Sequence, residues 1–218
     1  MNQETIITAI KKAKESSKKR NFRQTIELIV NLKGLDMKKN QNLVDFFTVL
    51  HYSKGKKTQV CALVGPELQD SAKESCDLVI MQSDFEKVAS NKAELKTIAA
   101  TYDYFVAQAN IMPKVATAFG KVLGPKGKMP NPKAGCVVPP KTNLKPLAEK
   151  LGKTVRINTK GGNAVIQVPI GNEEMDEKEV ADNCKTVFDQ IVHHLPGELN
   201  NIKSALVKLT MGVPIKVD

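Results

Sequence analysis

The sequence predicts an α+β domain built from both chain ends and interrupted by an inserted α/β domain of Rossmann-like, three-layer type. Two observations carry this. Near the termini apolar residues alternate at period two, in "TIELIVNL" (25–32) and "NAVIQVPIG" (163–171). Between them the pattern changes to continuous apolar runs, "QVCALVG" (59–65), "DLVIM" (77–81) and "YFVAQ" (104–108), separated by helical stretches. Alternation marks a strand buried on one face; a continuous run marks a parallel strand buried on both. The expected division is 1–58 with 154–218, and 59–153. The segment after 153 alone offers too few strands and helices for a core of its own, which favours the interrupted arrangement over two consecutive domains.

The elements follow in order. "MNQETIITAIKKAKESSKK" reads as an amphipathic helix with Ile6, Ile7, Ile10 and Ala13 on one face. In the strand at 21–32, Ile26, Leu28, Val30 and Leu32 share the core side, and Thr25, Glu27 and Asn31 the other. "DFFTVLHY" (45–52) is a second strand, and "SKGKKT" (53–58) a basic hinge-like loop. Helices are expected at 66–75, 84–101, 110–123 and 142–152, the alternation with strands arguing for a parallel sheet. A second crossing near 152–156 would complete a double hinge. The stretch 175–195 places Val180, Cys184, Val187, Phe188 and Ile191 on one helical stripe, with its acids in the first turns. "IKSALVKLTMG" (202–212) is expected as a final strand, with Ser204, Leu206, Lys208 and Thr210 on one face.

Composition narrows the function classes. The 218 residues carry a net charge of +10, which points toward a polyanionic partner. Residues 1–57 hold 13 basic against 5 acidic side chains, residues 58–154 hold 13 against 9, and residues 155–218 hold 7 against 9. The absence of Trp and the low aromatic content argue against a stacking platform for single-stranded bases. No apolar run approaches the ~18–20 residues that span a bilayer, and the start lacks the apolar block of a signal peptide. Cys61, Cys76, Cys136 and Cys184 show no metal-ligand spacing and are expected as reduced thiols in a cytoplasmic protein.

Catalytic patterns are missing. "LGPKGKMPNPKAG" (123–135) fails the Walker pattern, because Gly127-Lys128 is followed by Met129 and position 122 is Val. GxGxxG, HExxH and GxSxG are absent. His193 and His194 are adjacent, so on a helix they diverge by about 100° and make no chelating pair; His51 is read as isolated. No cofactor or metal is expected. The loop's prolines stiffen it, and a rigid loop holding Lys126, Lys128 and Lys133 outward suits phosphate contacts; a solvated connector is the plain alternative. If the two end strands pair, small polar residues on their outer face could read 2′-hydroxyls. A nucleotide-using enzyme on the central domain and a generic nucleic-acid binder are the competing readings.

"RNFRQTIEL" (20–28), "LGPKGKMPNPKAG" (123–135) and "KSALVKLTMG" (203–212), in this order, resemble the large-subunit ribosomal protein L-one family, and the "RNF" opening is similar to its archaeal members. The resemblance covers essentially the whole chain. It implies a non-enzymatic protein on the mobile stalk of the large subunit that binds stalk rRNA through the domain of both termini. It also implies a role in release of tRNA from the exit site and repression of its own operon by binding the mRNA. The free protein is expected to be a monomer. Carried over residue by residue, the RNA contacts fall on Phe22, Thr25, Glu27, Ser204, Thr210, Met211 and Gly212. Lys126, Lys128, Lys133 and Lys160 are secondary contacts. Thr159 stands before Lys160 where the family often has an acid, so the network there differs.

Overall fold

The computed structural model describes residues 2–35, 43–140, 142–159 and 163–217. Along the chain run α1 (Gln3–Ser16), β1 (Thr25–Leu32), β2 (Asp45–Val49), β3 (Val60–Val64), α2 (Gln69–Ser75) and β4 (Leu78–Met81). Then come α3 (Phe85–Ser90), α4 (Lys92–Thr101), β5 (Tyr104–Gln108), α5 (Met112–Leu123), β6 (Val137–Val138) and α6 (Lys145–Lys153). Last are β7 (Thr154–Asn158), β8 (Val165–Asn172), α7 (Glu177–His194), β9 (Ile202–Leu209) and β10 (Ile215–Val217). The chain forms two compact units, Met1–Lys56 with Lys153–Asp218, and Lys57–Gly152.

In the first unit an antiparallel sheet has the order β10-β9-β1-β8. Its inner face is the alternating apolar set: Ile26, Leu28 and Val30 from β1, Ile166, Val168 and Ile170 from β8, and Ala205, Val207 and Leu209 from β9. Ile6, Ala9, Ile10 and Ala13 of α1 pack on it, while Ile7 is only partly buried. The expected stripe of α7, Val180, Cys184, Val187, Phe188 and Ile191, is buried in the same core. Asp176 caps α7, its carboxylate accepting the Lys178 N–H at 3.0 Å. Among the described residues, both helices that pack in this core lie against one side of the sheet, and its other side carries none. Pro169 lies on β8, an edge strand of this sheet, where a missing N–H is tolerated. A bulge opposite Ile26/Glu27 directs Ile170 and Gly171 both inward.

Three short strands were not legible from the sequence. β7 pairs antiparallel with β2, and the Arg156 guanidinium grips Asp45 in bidentate fashion at 2.7 and 2.8 Å. Its five residues read as a crossing because only Val155 and Ile157 carry the apolar signal within the run. β10 is a three-residue edge strand, and β9 stops earlier than expected, at Leu209. The Gly212 N–H donates to the Leu209 carbonyl at 2.9 Å, so Thr210, Met211 and Gly212 turn instead of continuing the strand. His51 is not isolated: its Nδ1 lies 2.6 Å from Asp182 Oδ2. His194 stacks on Phe46, ring centroids 3.7 Å apart.

The second unit is a parallel sheet in the order β4-β3-β5-β6. All five residues of β3 are buried. Cys61 and Leu63 join a core with Phe85, Leu95, Val115, Phe119 and Leu123, from α3, α4 and α5. Ala62 and Val64, of opposite parity, are buried as well. The expected helix at 84–101 is broken into α3 and α4 at Asn91, whose side chain caps the second by accepting the Glu94 N–H. β6, two residues ended by Pro139-Pro140, is the third strand missed.

Candidate nucleic-acid interface

The helix-free face of the antiparallel sheet takes its side chains from the even positions of β9 and the odd positions of β1 and β8. Strand register sets them in rows. Glu27 lies between Lys208 and Pro169, Ile29 between Leu206 and Gln167, and Asn31 between Ser204 and Val165. From Thr25 to Asn31 this face runs about 20 Å along the strand. Its polar groups are organised pairwise. The Asn31 amide donates to Ser204 Oγ at 2.9 Å, so Ser204 is the acceptor there and its hydroxyl proton is not used in that bond. The Gln167 amide donates to the Glu27 carboxylate. Glu27 therefore orients a neighbouring amide, and Lys208 stands opposite it in register on β9.

At the Thr25 end the sheet closes with the 209–212 turn. The Thr25 N–H donates to Thr210 Oγ1 at 3.1 Å, and the Thr210 hydroxyl donates to the Thr25 carbonyl at 3.2 Å. The Thr210 hydroxyl thus serves the backbone of Thr25. Met211, next in the turn, is 59% exposed, and Phe22, three residues before β1, is 52% exposed. A Cβ at Gly212 would stand 3.2 Å from the Leu209 Cβ, so the turn is tight. Thr25, Glu27 and Ser204 are brought onto one face, and Thr210, Met211 and Gly212 adjoin one end of it. Asn31 and Gln167 are the polar partners that single-strand reading misses, because their pairing depends on register.

In the second unit, "LGPKGKMPNPKAG" is a folded loop. The Gly127 N–H donates to the Gly124 carbonyl, the Lys128 N–H to that of Leu123 and the Cys136 N–H to that of Asn131. Gly135 sits at φ +76°, in the left-handed region. The expected outward array of lysines is corrected at Lys128, whose ammonium turns inward to the Tyr102 carbonyl at 2.6 Å. Lys126 is exposed and reaches the Lys96 carbonyl at 3.1 Å; Lys133 is exposed beside the Asn131 cap. Lys160 lies outside the described residues.

Residues 10–213 match the profile of the ribosomal protein L1p/L10e family. The chain belongs to that family. A large ribosomal subunit protein uL1 of Methanocaldococcus jannaschii is 39% identical over 217 residues, covering 100% of this chain and 96% of the relative. The protein of the same name from Nanoarchaeum equitans is 41% identical over 215 residues, covering 97% and 98%. That from Thermococcus kodakarensis is 38% identical over 218 residues, covering 100% and 98%. Membership makes the chain a structural ribosomal protein and not an enzyme.

In parallel sheets ligands enter where strand order reverses, here beside the carboxyl end of β3. Gln108 occupies that place: its buried side-chain oxygen accepts the Gly65 N–H at 3.0 Å, and its amide donates to Glu67 at 3.1 Å. The Gln108 side chain thus ties the segment after β3 to the end of β5. Among the described residues, no helix is long and apolar enough to cross a membrane. All four cysteines are unpaired; burial pushes the Cys61 and Cys184 thiols up to about 12 and those of Cys76 and Cys136 up to about 11.

Proposed function

We propose that this family member is a constituent of the large ribosomal subunit that holds stalk rRNA on the open face of its antiparallel sheet. The observation that carries the reading is the sheet face with helices on its other side only, which bears Thr25, Glu27 and Ser204 and ends at the exposed Met211 turn. Ser204 and Thr25 offer hydroxyls to ribose 2′-hydroxyls, the feature that separates RNA from DNA. Phe22 and Met211 supply apolar surface against a groove, and Gly212 permits close backbone approach. Lys208 and the basic 18–23 segment supply phosphate contacts.

The same face would bind the mRNA of the protein's own operon, and the stalk position would let the protein assist release of tRNA from the exit site. The parallel unit acts as an inserted Rossmann-like, three-layer domain, with Lys126 and Lys133 as a second, weaker RNA contact. The test is competition of a stalk rRNA fragment against bulk tRNA at one stated salt concentration, with wild type and Met211→Asp. Wild type should prefer the fragment, and the variant should lose most of that preference. Equal competition by bulk tRNA for wild type sinks the reading. Repression is tested separately with a translation reporter fused to the operon leader.

A further inference from the structure

Gln24, the residue before β1, is 1% exposed and touches three chain segments. Its side-chain oxygen accepts the Met211 N–H at 3.2 Å. Its amide nitrogen lies 3.2 Å from Ser17 Oγ, 3.4 Å from the Lys18 carbonyl and 3.4 Å from Glu173 Oε2. Its backbone N–H donates to Glu173 Oε1 at 3.0 Å, and its carbonyl accepts the Glu173 N–H at 3.0 Å. One buried amide therefore joins the end of α1, the 209–212 turn and the segment that leads into α7.

What it holds matters, because the side chains of the loop that leads into it are exposed. Lys18, Lys19, Arg20, Asn21, Phe22 and Arg23 all lie at the surface. Gln24 closes this basic loop at both ends, through Lys18 and through its own place in the chain. It also fixes the backbone of Met211. With Phe22 and Met211 both largely exposed, their placement depends on the backbone that carries them.

We propose that Gln24 is a positioning residue for RNA recognition, setting the Phe22 loop and the Met211 turn in one fixed relation. This rests on the reading that Phe22 and Met211 meet rRNA. An amide is required chemically: Oε1 must accept from Met211 while Nε2 donates, one of its acceptors being the Glu173 carboxylate. Glutamate keeps the first function but sets two carboxylates against each other. Methionine keeps the volume and loses both.

The experiment uses the full-length protein with Gln24→Met, Gln24→Glu and the swapped pair Gln24→Glu/Glu173→Gln. Affinity for the stalk rRNA fragment and for bulk tRNA is measured over a salt series, and exchange of the Met211 amide is followed in the RNA-free protein. The two single variants should bind the fragment about ten-fold more weakly, with unchanged tRNA affinity and salt slope, and exchange the Met211 amide faster. The swapped pair restores an amide opposite a carboxylate but leaves the Lys18 carbonyl without its donor, so it should recover part of both, more on the Met211 amide than on the fragment. If wild type itself does not distinguish the fragment from tRNA, the site reading falls and this inference with it. If wild type discriminates but the single variants bind the fragment within two-fold of it, Gln24 has no positioning role and the site reading stands. Equal losses on both RNAs, or no recovery in the swapped pair, likewise overturn the inference alone.

Discussion

Thr25 and Thr210 clasp each other by three hydrogen bonds at the end of the β1–β9 pair. The Thr210 N–H meets the Thr25 carbonyl at 3.0 Å, the Thr25 N–H meets Thr210 Oγ1 at 3.1 Å, and the Thr210 hydroxyl returns to the Thr25 carbonyl at 3.2 Å. Under the proposed function, the Thr210 hydroxyl would act on RNA binding through the turn it holds. Thr210→Ala should lower stability by about 1 kcal/mol. It should weaken binding of the rRNA fragment by about 1–3 kcal/mol, while Thr210→Ser stays near wild type. Urea unfolding and filter binding on the two variants check this; equal behaviour of Ala and Ser would contradict it.

Gly55 adopts φ +75°, and a Cβ there would lie 2.3 Å from the Asn172 amide nitrogen, which donates to the Gly55 carbonyl. Gly55→Ala meets a strained backbone and a clash together. The expected loss is at least about 1–3 kcal/mol in chemical unfolding. Combining it with Asn172→Ala should cost less than the sum of the two single changes, since the clash is shared.

The Lys14 ammonium, 2.7 Å from Glu177, donates to it and holds that carboxyl below its ordinary 4.5. In the other unit the Val60 N–H, and then Lys57, do the same for Asp77. A lowered folded value means that the unfolded chain takes up protons first as pH falls. Both contributions are therefore complete above the ordinary carboxylate range and are lost as pH drops below about 4.5 through the folded values. The contribution of these two carboxyls to unfolding free energy should be level from neutral pH to about 5 and then decline. Lys14→Met should narrow its gap from wild type as the solution is acidified.

With their thiols raised to about 11–12, the four cysteines are protonated at neutral pH. A thiol-reactive probe at pH 7.5 should label the native protein slowly and the urea-unfolded protein rapidly at four sites. Fast native labelling of Cys184 would contradict the packing of α7.

The fold was legible wherever burial imposes a period. β1, β8, the core side of β9 and the α7 stripe announce themselves, because half of their residues must leave water. β6 and β10 did not, since two or three residues give too little pattern to separate a strand from a connection, and β7 did not because only Val155 and Ile157 of its five residues are apolar. The end of β9 was misjudged for a related reason. Ser204, Lys208 and Thr210 continue the alternation, and the turn that takes over at Thr210 depends on the tight approach of Gly212 to Leu209. At the site, the residue types and the face were readable, but the partners were not. That Asn31 holds Ser204 and Gln167 holds Glu27 follows from register between distant strands. Lys128 shows the converse, a lysine read as a phosphate contact whose ammonium is bonded to the carbonyl of Tyr102.

The most direct measurement of the central claim is amide hydrogen exchange with and without a stalk rRNA fragment. RNA seated on the open face should slow exchange at 22–31 and 204–212, most strongly at Met211 and Gly212, with smaller changes at 123–135. Protection confined to residues 57–152, with the 209–212 turn unchanged, would contradict it.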